Sequence, residues 1–182
     1  MKEIEMSDKA TKDLPSLEIF RARDATEYGE DGPMDGPPMS DVQQHGMAAM
    51  FEAGMMSGSE VKLLYGRPQM SLTYVRFKPG FALPLHSHSA NCLYFIITRS
   101  IKMGTEELGP GDGFYLGTDV PYTYVPGENG VELLEFRDSN DFDFKATAKN
   151  ADYWKTLAAN MAKASAGWTD DAPLSGMVVG PV

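Results

Sequence analysis

Residues 80–97 read GFALPLHSHSANCLYFII, and the triplet His86-Ser87-His88 inside this stretch decides how the rest of the chain is read. Side chains alternate sides along a strand, so imidazoles at i and i+2 leave the backbone on the same face and can converge on one ion. Gly80 offers a turn upstream of the pair, and the apolar run Leu93 to Ile97 reads as a buried strand downstream of it. Two of the three histidines in the chain make up this pair.

Outward from it, Glu60 to Arg137 is a succession of short β-type runs separated by turns, at the spacing of about 8 to 12 residues expected of a sandwich or barrel. The runs are Val61 to Tyr65, Met70 to Phe77, Cys92 to Thr98, Ser100 to Met103, Gly113 to Leu116, Tyr122 to Val125 and Val131 to Phe136. Gly66-Arg67-Pro68, Lys78-Pro79-Gly80, Gly109 to Asp112 and Pro126 to Gly130 carry turn chemistry between them. This predicts an antiparallel β-domain over 59–140.

The flanks differ. Residues 1–58 form an N-terminal extension whose segment 29–40, with three glycines and three prolines, excludes a helix or central strand and is predicted as a loop or linker. Leu17 to Ala25 alternates loosely enough for an edge strand. Met47, Met50, Phe51, Met55 and Met56 recur at spacings of three and four, which suit a short amphipathic helix or an irregular packed segment. In 141–182, Asn150 can cap a helix with Asp152 in its first turn, an apolar stripe of Tyr153, Trp154, Leu157 and Met161, and Gly167 as a stop. An extended tail follows it.

A chain of 182 residues suits one domain of about 100 to 150 residues with extensions. Acidic residues outnumber basic ones by 26 to 16, for a formal charge of −10, and no Lys/Arg cluster could follow a phosphate backbone. Nucleic acid and anionic membrane are therefore not expected as partners. No segment approaches the ~20 apolar residues of a membrane span, and Met1 to Asp13 lacks the apolar run of a secretory signal. A cytoplasmic protein is expected. The single cysteine, Cys92, excludes an intrachain disulfide.

The stretch from Gly80 to Phe136 resembles the cupin superfamily of small jelly-roll barrels. The family's first motif is Gly, five residues, His-x-His, three or four residues, Glu, six residues, Gly. Gly80, His86 and His88 fit it without a gap, while the Glu position holds Cys92 and the last Gly position Arg99. In the second motif, started at Gly111, the family's Pro falls on Gly117, its Gly on Asp119, its His on Tyr122 and its Asn on Pro126. The resemblance implies an all-β, cupin-type jelly-roll barrel with an N-terminal extension and a C-terminal helix, and a protein that pairs as a homodimer. It also implies a divalent ion (Fe, Zn, Mn or Ni) held by His86 and His88, with Cys92 and Tyr122 at the two remaining ligand positions.

Thiolate and phenolate can each ligate once deprotonated, so a site of His86, His88 and either Cys92 or Tyr122 is chemically admissible. Tyr122 and Tyr94 are the candidate catalytic residues, each as third ligand or general acid. Phe81, Tyr94, Ile96, Tyr122 and Tyr124 would line a pocket for an aromatic or otherwise apolar small molecule. Glu135 and Arg137 share strand parity; inward they offer a base and an anion anchor, outward a solvated face or a cross-strand pair. His45 reads as an exposed loop residue or as a missing ligand folded back to the barrel mouth. Three functions follow: a metal-dependent dioxygenase or lyase/isomerase, a metal-free isomerase, epimerase or cyclase with His/Tyr acid-base chemistry, and a non-catalytic binding module. The plain alternatives are a hydrogen-bonded His pair without an ion and Cys92 as a packed core residue.

Overall fold

Strands β2 (Ser59–Arg67) and β3 (Met70–Phe77) form a hairpin in which Arg67 pairs with Met70. The turn is therefore Pro68-Gln69, where a proline forfeits no ladder hydrogen bond. In this computed structural model, which describes residues 17–28, 36–169, 173, 175, 176, 179 and 180, the hairpin seeds an antiparallel sheet. Its other strands are β1 (Thr26–Glu27), β5 (Cys92–Met103), β6 (Glu106–Leu108), β7 (Gly113–Leu116) and β8 (Val125–Arg137), in the order β1-β2-β3-β8-β5-β6, with β7 also on β5. Two short strands, β4 (His86–Ser87) and β9 (Lys145–Ala146), make a second sheet, which an isolated bridge ties to Tyr122.

Sequence and structure differ at four places, the first being that the expected run Tyr122 to Val125 is not a strand: Tyr122 makes only an isolated bridge to His86, and Val125 opens β8. Cys92 to Met103 is one strand rather than two, because the chain passes the break by irregular pairing around Arg99, which takes a left-handed φ of 67°. Pro126 to Gly130, expected as a turn, lies inside β8: Pro126 pairs with Ile101, and Gly130 absorbs the bend at φ 81°. The edge strand expected over Leu17 to Ala25 is instead coil and a 3-10 turn at Ala22–Asp24; only Thr26 and Glu27 pair, with Leu63 and Lys62.

Two pairings reach outside 59–140, since β1 comes from the N-terminal side and β9 from the C-terminal side. Residues 29–35 of the expected linker lie outside the described residues, while 36–40 are exposed coil. The methionine-rich segment is helix α1 (Asp41–Glu52) followed by the single turn α2 (Met55–Gly58). Helix α3 (Ala151–Ser165) starts where expected, the Asp152 N–H donating to Asn150 Oδ1 at 2.8 Å.

Helices α1 and α3 pack on each other beside the barrel. A Cβ at Gly46 would stand 2.3 Å from the Trp154 ring, so this close approach requires glycine in mid-helix. Gln43 Nε2 donates to Ala146 O, tying α1 to β9. Inside the barrel one core gathers Val75, Phe77, Phe81, Tyr94, Ile96, Tyr124, Val131 and Leu133 with Met47, Met50, Trp154 and Met161 from the helices.

Candidate active site

The register of the central strands decides which side chains enter the barrel. On β8, alternate residues Val131, Leu133, Glu135 and Arg137 face in, opposite Phe77, Val75, Thr73 and Ser71 of β3. On the other flank Arg137, Glu135 and Leu133 pair with Cys92, Tyr94 and Ile96 of β5. Glu135 and Arg137 are thus inward and buried, the rarer of the two fates open to them in the sequence.

His86 and His88 arrive from the second sheet. The backbone of His86 exchanges two hydrogen bonds with that of Tyr122, at 3.1 and 2.8 Å, which clamps the two residues together. Both imidazoles are buried, with ring centroids 4.8 Å apart. His86 Nδ1 lies 2.7 Å from Pro84 O, and His88 Nδ1 2.5 Å from Asp143 O. A carbonyl only accepts, so each Nδ1 carries the proton and each Nε2 keeps its lone pair. Burial, then the neighbouring His88, pushes the His86 pKa down to about 3; burial, then Arg137, pushes that of His88 down to about 4. Both rings are neutral at pH 7.

The lone pair of His86 faces a hydroxyl chain. Tyr122 Oη is 3.0 Å from His86 Nε2 and must be the donor there; Tyr94 Oη, 2.5 Å from Tyr122 Oη, then donates to it. The Tyr94 ring stacks on Phe114 at 4.3 Å and 7°, which fixes the end of the relay. Burial raises the pKa of both phenols well above their ordinary value, so both hold their protons at neutral pH.

Beside this chain, Arg137 Nη2 donates to Glu135 Oε2 at 2.6 Å, and the guanidinium stands 4.1 Å from the centre of the Phe142 ring. Burial is the largest single influence and works against the charge on Arg137, but Glu135, together with Cys92, Tyr94 and Tyr122, more than offsets it and raises its pKa. A cavity of about 230 Å³ brings His86, His88, Tyr122, Tyr124, Glu135 and Arg137 to one space, with Phe81, Leu83, Tyr28, Met55 and Phe144 among its apolar walls. Of the lining expected from sequence, Phe81, Tyr122 and Tyr124 border it. Tyr94 and Ile96 lie behind that wall, and Tyr94 reaches the site through Tyr122.

Cys92 does not join the histidines. Among the described residues no group of three His, Cys, Asp or Glu side chains is placed to hold a metal ion. The thiol lies in the inward row of Arg137, not on the cavity wall, and burial pushes its pKa up to about 12, so it stays a thiol and packs in the core. His45 lies on α1, exposed, with Nδ1 2.7 Å from Asp41 O, and takes no part in the site. The oxygen in contact with the His86 lone pair is that of Tyr122. Imidazole nitrogen and phenolate are donor types that a divalent ion accepts, but here Tyr122 keeps its proton and hydrogen-bonds through it to His86 Nε2.

Phe142 and Phe144 went unnoticed in the sequence. Phe144 stacks on His86 at 4.7 Å and 17°, and Phe142 meets His88 edge-on at 5.5 Å. Their signal was the period-2 alternation Asp141-Phe142-Asp143-Phe144 leading into β9, which puts both rings on one side. A second cleft of about 270 Å³, bordered by Arg76, Lys78, Arg99 and Trp168, contains none of these groups.

No protein-family model and no curated protein matches the chain. Solved structures do resemble it. An RmlC-like cupin from Shewanella frigidimarina NCIMB 400 is 16% identical over 50% of this chain and 79% of its own, with a TM-score of 0.41. The polyketide cyclase RemF from Streptomyces resistomycificus is 16% identical over 57% and 84%, at 0.45. A mutant of oxalate decarboxylase OxdC from Bacillus subtilis is 22% identical over 45% of this chain, which spans only 26% of that protein, at 0.41. These are likenesses of fold alone. The described residues themselves form an antiparallel, all-β sheet between an N-terminal extension and a C-terminal helix. Among the described residues no helix is long and apolar enough to cross a membrane.

Proposed function

We propose that this protein is a cupin enzyme whose buried centre holds a divalent cation on His86 Nε2 and His88 Nε2, with Tyr122 as an oxygen donor, and acts on a small, largely apolar organic molecule. One observation carries the reading: both Nδ1 atoms are tied to backbone carbonyls, so both Nε2 lone pairs are held ready and neutral. The cation would act as a Lewis acid or as an O₂ site, consistent with lyase/isomerase or dioxygenase chemistry. The chain's own groups would bind the substrate's apolar body against Phe81 and Tyr124 and exclude water, with Tyr94 Oη donating to the Tyr122 oxygen and holding it in place. Metal analysis of protein purified without a polyhistidine tag tests this. About one equivalent of Fe, Zn, Mn or Ni is expected in the wild type and none in His86→Ala/His88→Ala; absence of ion after incubation with all four sinks it.

A second reading is favoured by the direction of the hydroxyl chain. Tyr122 already donates to His86 Nε2, the arrangement of a metal-free acid/base pair for isomerisation, epimerisation or cyclisation. Turnover that survives chelation and disappears in Tyr122→Phe selects it.

We further propose a homodimer. Leu93 is 54% exposed and lies between Phe136 and Tyr115 on the outer face of the sheet, with Phe95 two residues along. This uncovered apolar row suits a second copy, and sedimentation of Leu93→Ser/Phe95→Ser should report a monomer. A cytoplasmic address, which suits the free buried thiol of Cys92, belongs to the same proposal.

A further inference from the structure

The most informative group that the chemistry above leaves unused is Arg137. Its residue is 4% exposed, it borders the cavity that holds His86, His88 and Tyr122, and only Nη2 has a partner, the carboxylate of Glu135. Nε and Nη1 have none among the described residues. A buried guanidinium presents five N–H donors and cannot shed its charge, so donors left unfilled in a largely apolar cavity are costly unless a ligand accepts from them.

The surroundings narrow the ligand. Arg137 is the one Lys or Arg side chain among the described residues bordering this cavity. Glu135 occupies part of the fork, and Phe142 covers its face. What remains are the N–H donors of Nε and Nη1, which suit carboxylate oxygens. The cavity's aromatic and aliphatic walls match the apolar body of the same molecule.

We infer that the pocket takes a small monocarboxylate with an apolar or aromatic body, its carboxylate on Arg137 and its body toward His86, His88 and Tyr122. The inference rests on the pocket being the substrate site, as proposed above, but not on the ion. Arg137 is here a substrate-anchoring residue, and Glu135 competes with the substrate for the same guanidinium.

Calorimetric titration in the presence of chelator separates the two claims, since carboxylate binding is read without metal and without turnover. Benzoate, phenylacetate and hexanoate are the probes, with benzamide as the uncharged control. At least one acid should bind about 10- to 100-fold more tightly than benzamide, the worth of one charged hydrogen-bonded contact. Glu135→Gln should bind that acid several-fold more tightly, since it removes the competing carboxylate. Glu135→Gln/Arg137→Gln, neutral in both positions, should lose the preference for acid over amide, whereas His86→Ala/His88→Ala should keep it. If the double glutamine variant fails to fold, Arg137→Lys replaces it and should bind about tenfold more weakly, having the charge without the fork. Equal binding of acid and amide, no binding of any acid, unchanged or weaker binding in Glu135→Gln, or preference lost with the histidines rather than with Arg137 would each overturn the inference. A protein that binds acids in this pattern but never holds an ion refutes the metal reading and leaves this one standing.

Discussion

The inward face of β3, β8 and β5 is one ladder with two unlike halves. In one half Phe77 pairs with Val131, and Val75 and Ile96 flank Leu133; every side chain is apolar, and Val75 and Phe77 give the cavity part of its apolar wall. In the other half, two residues further along the same strands, Thr73 and Tyr94 flank Glu135, and Ser71 and Cys92 flank Arg137. Backbone pairing and parity are the same throughout, so the difference is purely one of side chains. The apolar half gains stability from burial without needing partners. The polar half must satisfy each buried group with another, and its residual donors are what it offers to a ligand. Stability and chemistry are thus segregated along shared strands.

The sharpest way to break this comparison is Arg137→Met. It leaves the Glu135 carboxylate buried without its partner and should lower unfolding free energy by about 3–5 kcal/mol in urea denaturation; a loss below about 1 kcal/mol would mean that the polar half carries no buried ion pair. Leu133→Ala, in the apolar half and fully buried, should lose about 2–4 kcal/mol through cavity formation, with metal content unchanged.

The pH dependence of stability is the next test. His86 and His88 have folded pKa values depressed to about 3 and about 4, below about 6.5 in the unfolded chain. The unfolded state therefore binds more protons below pH 6.5. The stabilisation is complete above that pH and is lost as pH falls toward 4, at up to about 1.4 kcal/mol per pH unit for each ring. Urea midpoints measured from pH 7.5 to 4.5 in chelator should fall steeply in the wild type and less so in His86→Asn/His88→Asn.

Tyr94→Phe has the smallest expected effect. It keeps the stack on Phe114 and removes one buried hydroxyl, for about 1 kcal/mol in thermal or urea unfolding. It should slow turnover while leaving the acid-over-amide binding preference intact, because Tyr94 lies behind the cavity wall.

Local chemistry in the sequence was enough for much of the fold. The strand Met70–Phe77 and the strand Gly113–Leu116 were legible to the residue, and Asn150 announced α3, since alternation and capping depend on neighbours a few positions away. The same period of 2 put His86 and His88 on one face. Sequence parity also grouped Glu135 with Arg137 and Cys92 with Tyr94, but parity leaves open which side of a sheet is inside. That was decided by β8 inserting between β3 and β5, where Arg137 pairs with Ser71 on one side and Cys92 on the other, both far away in sequence. Only this long-range register turned Glu135 and Arg137 into the barrel, set Cys92 in their row away from the histidines, and let Phe142 and Phe144 fold back against the two imidazoles.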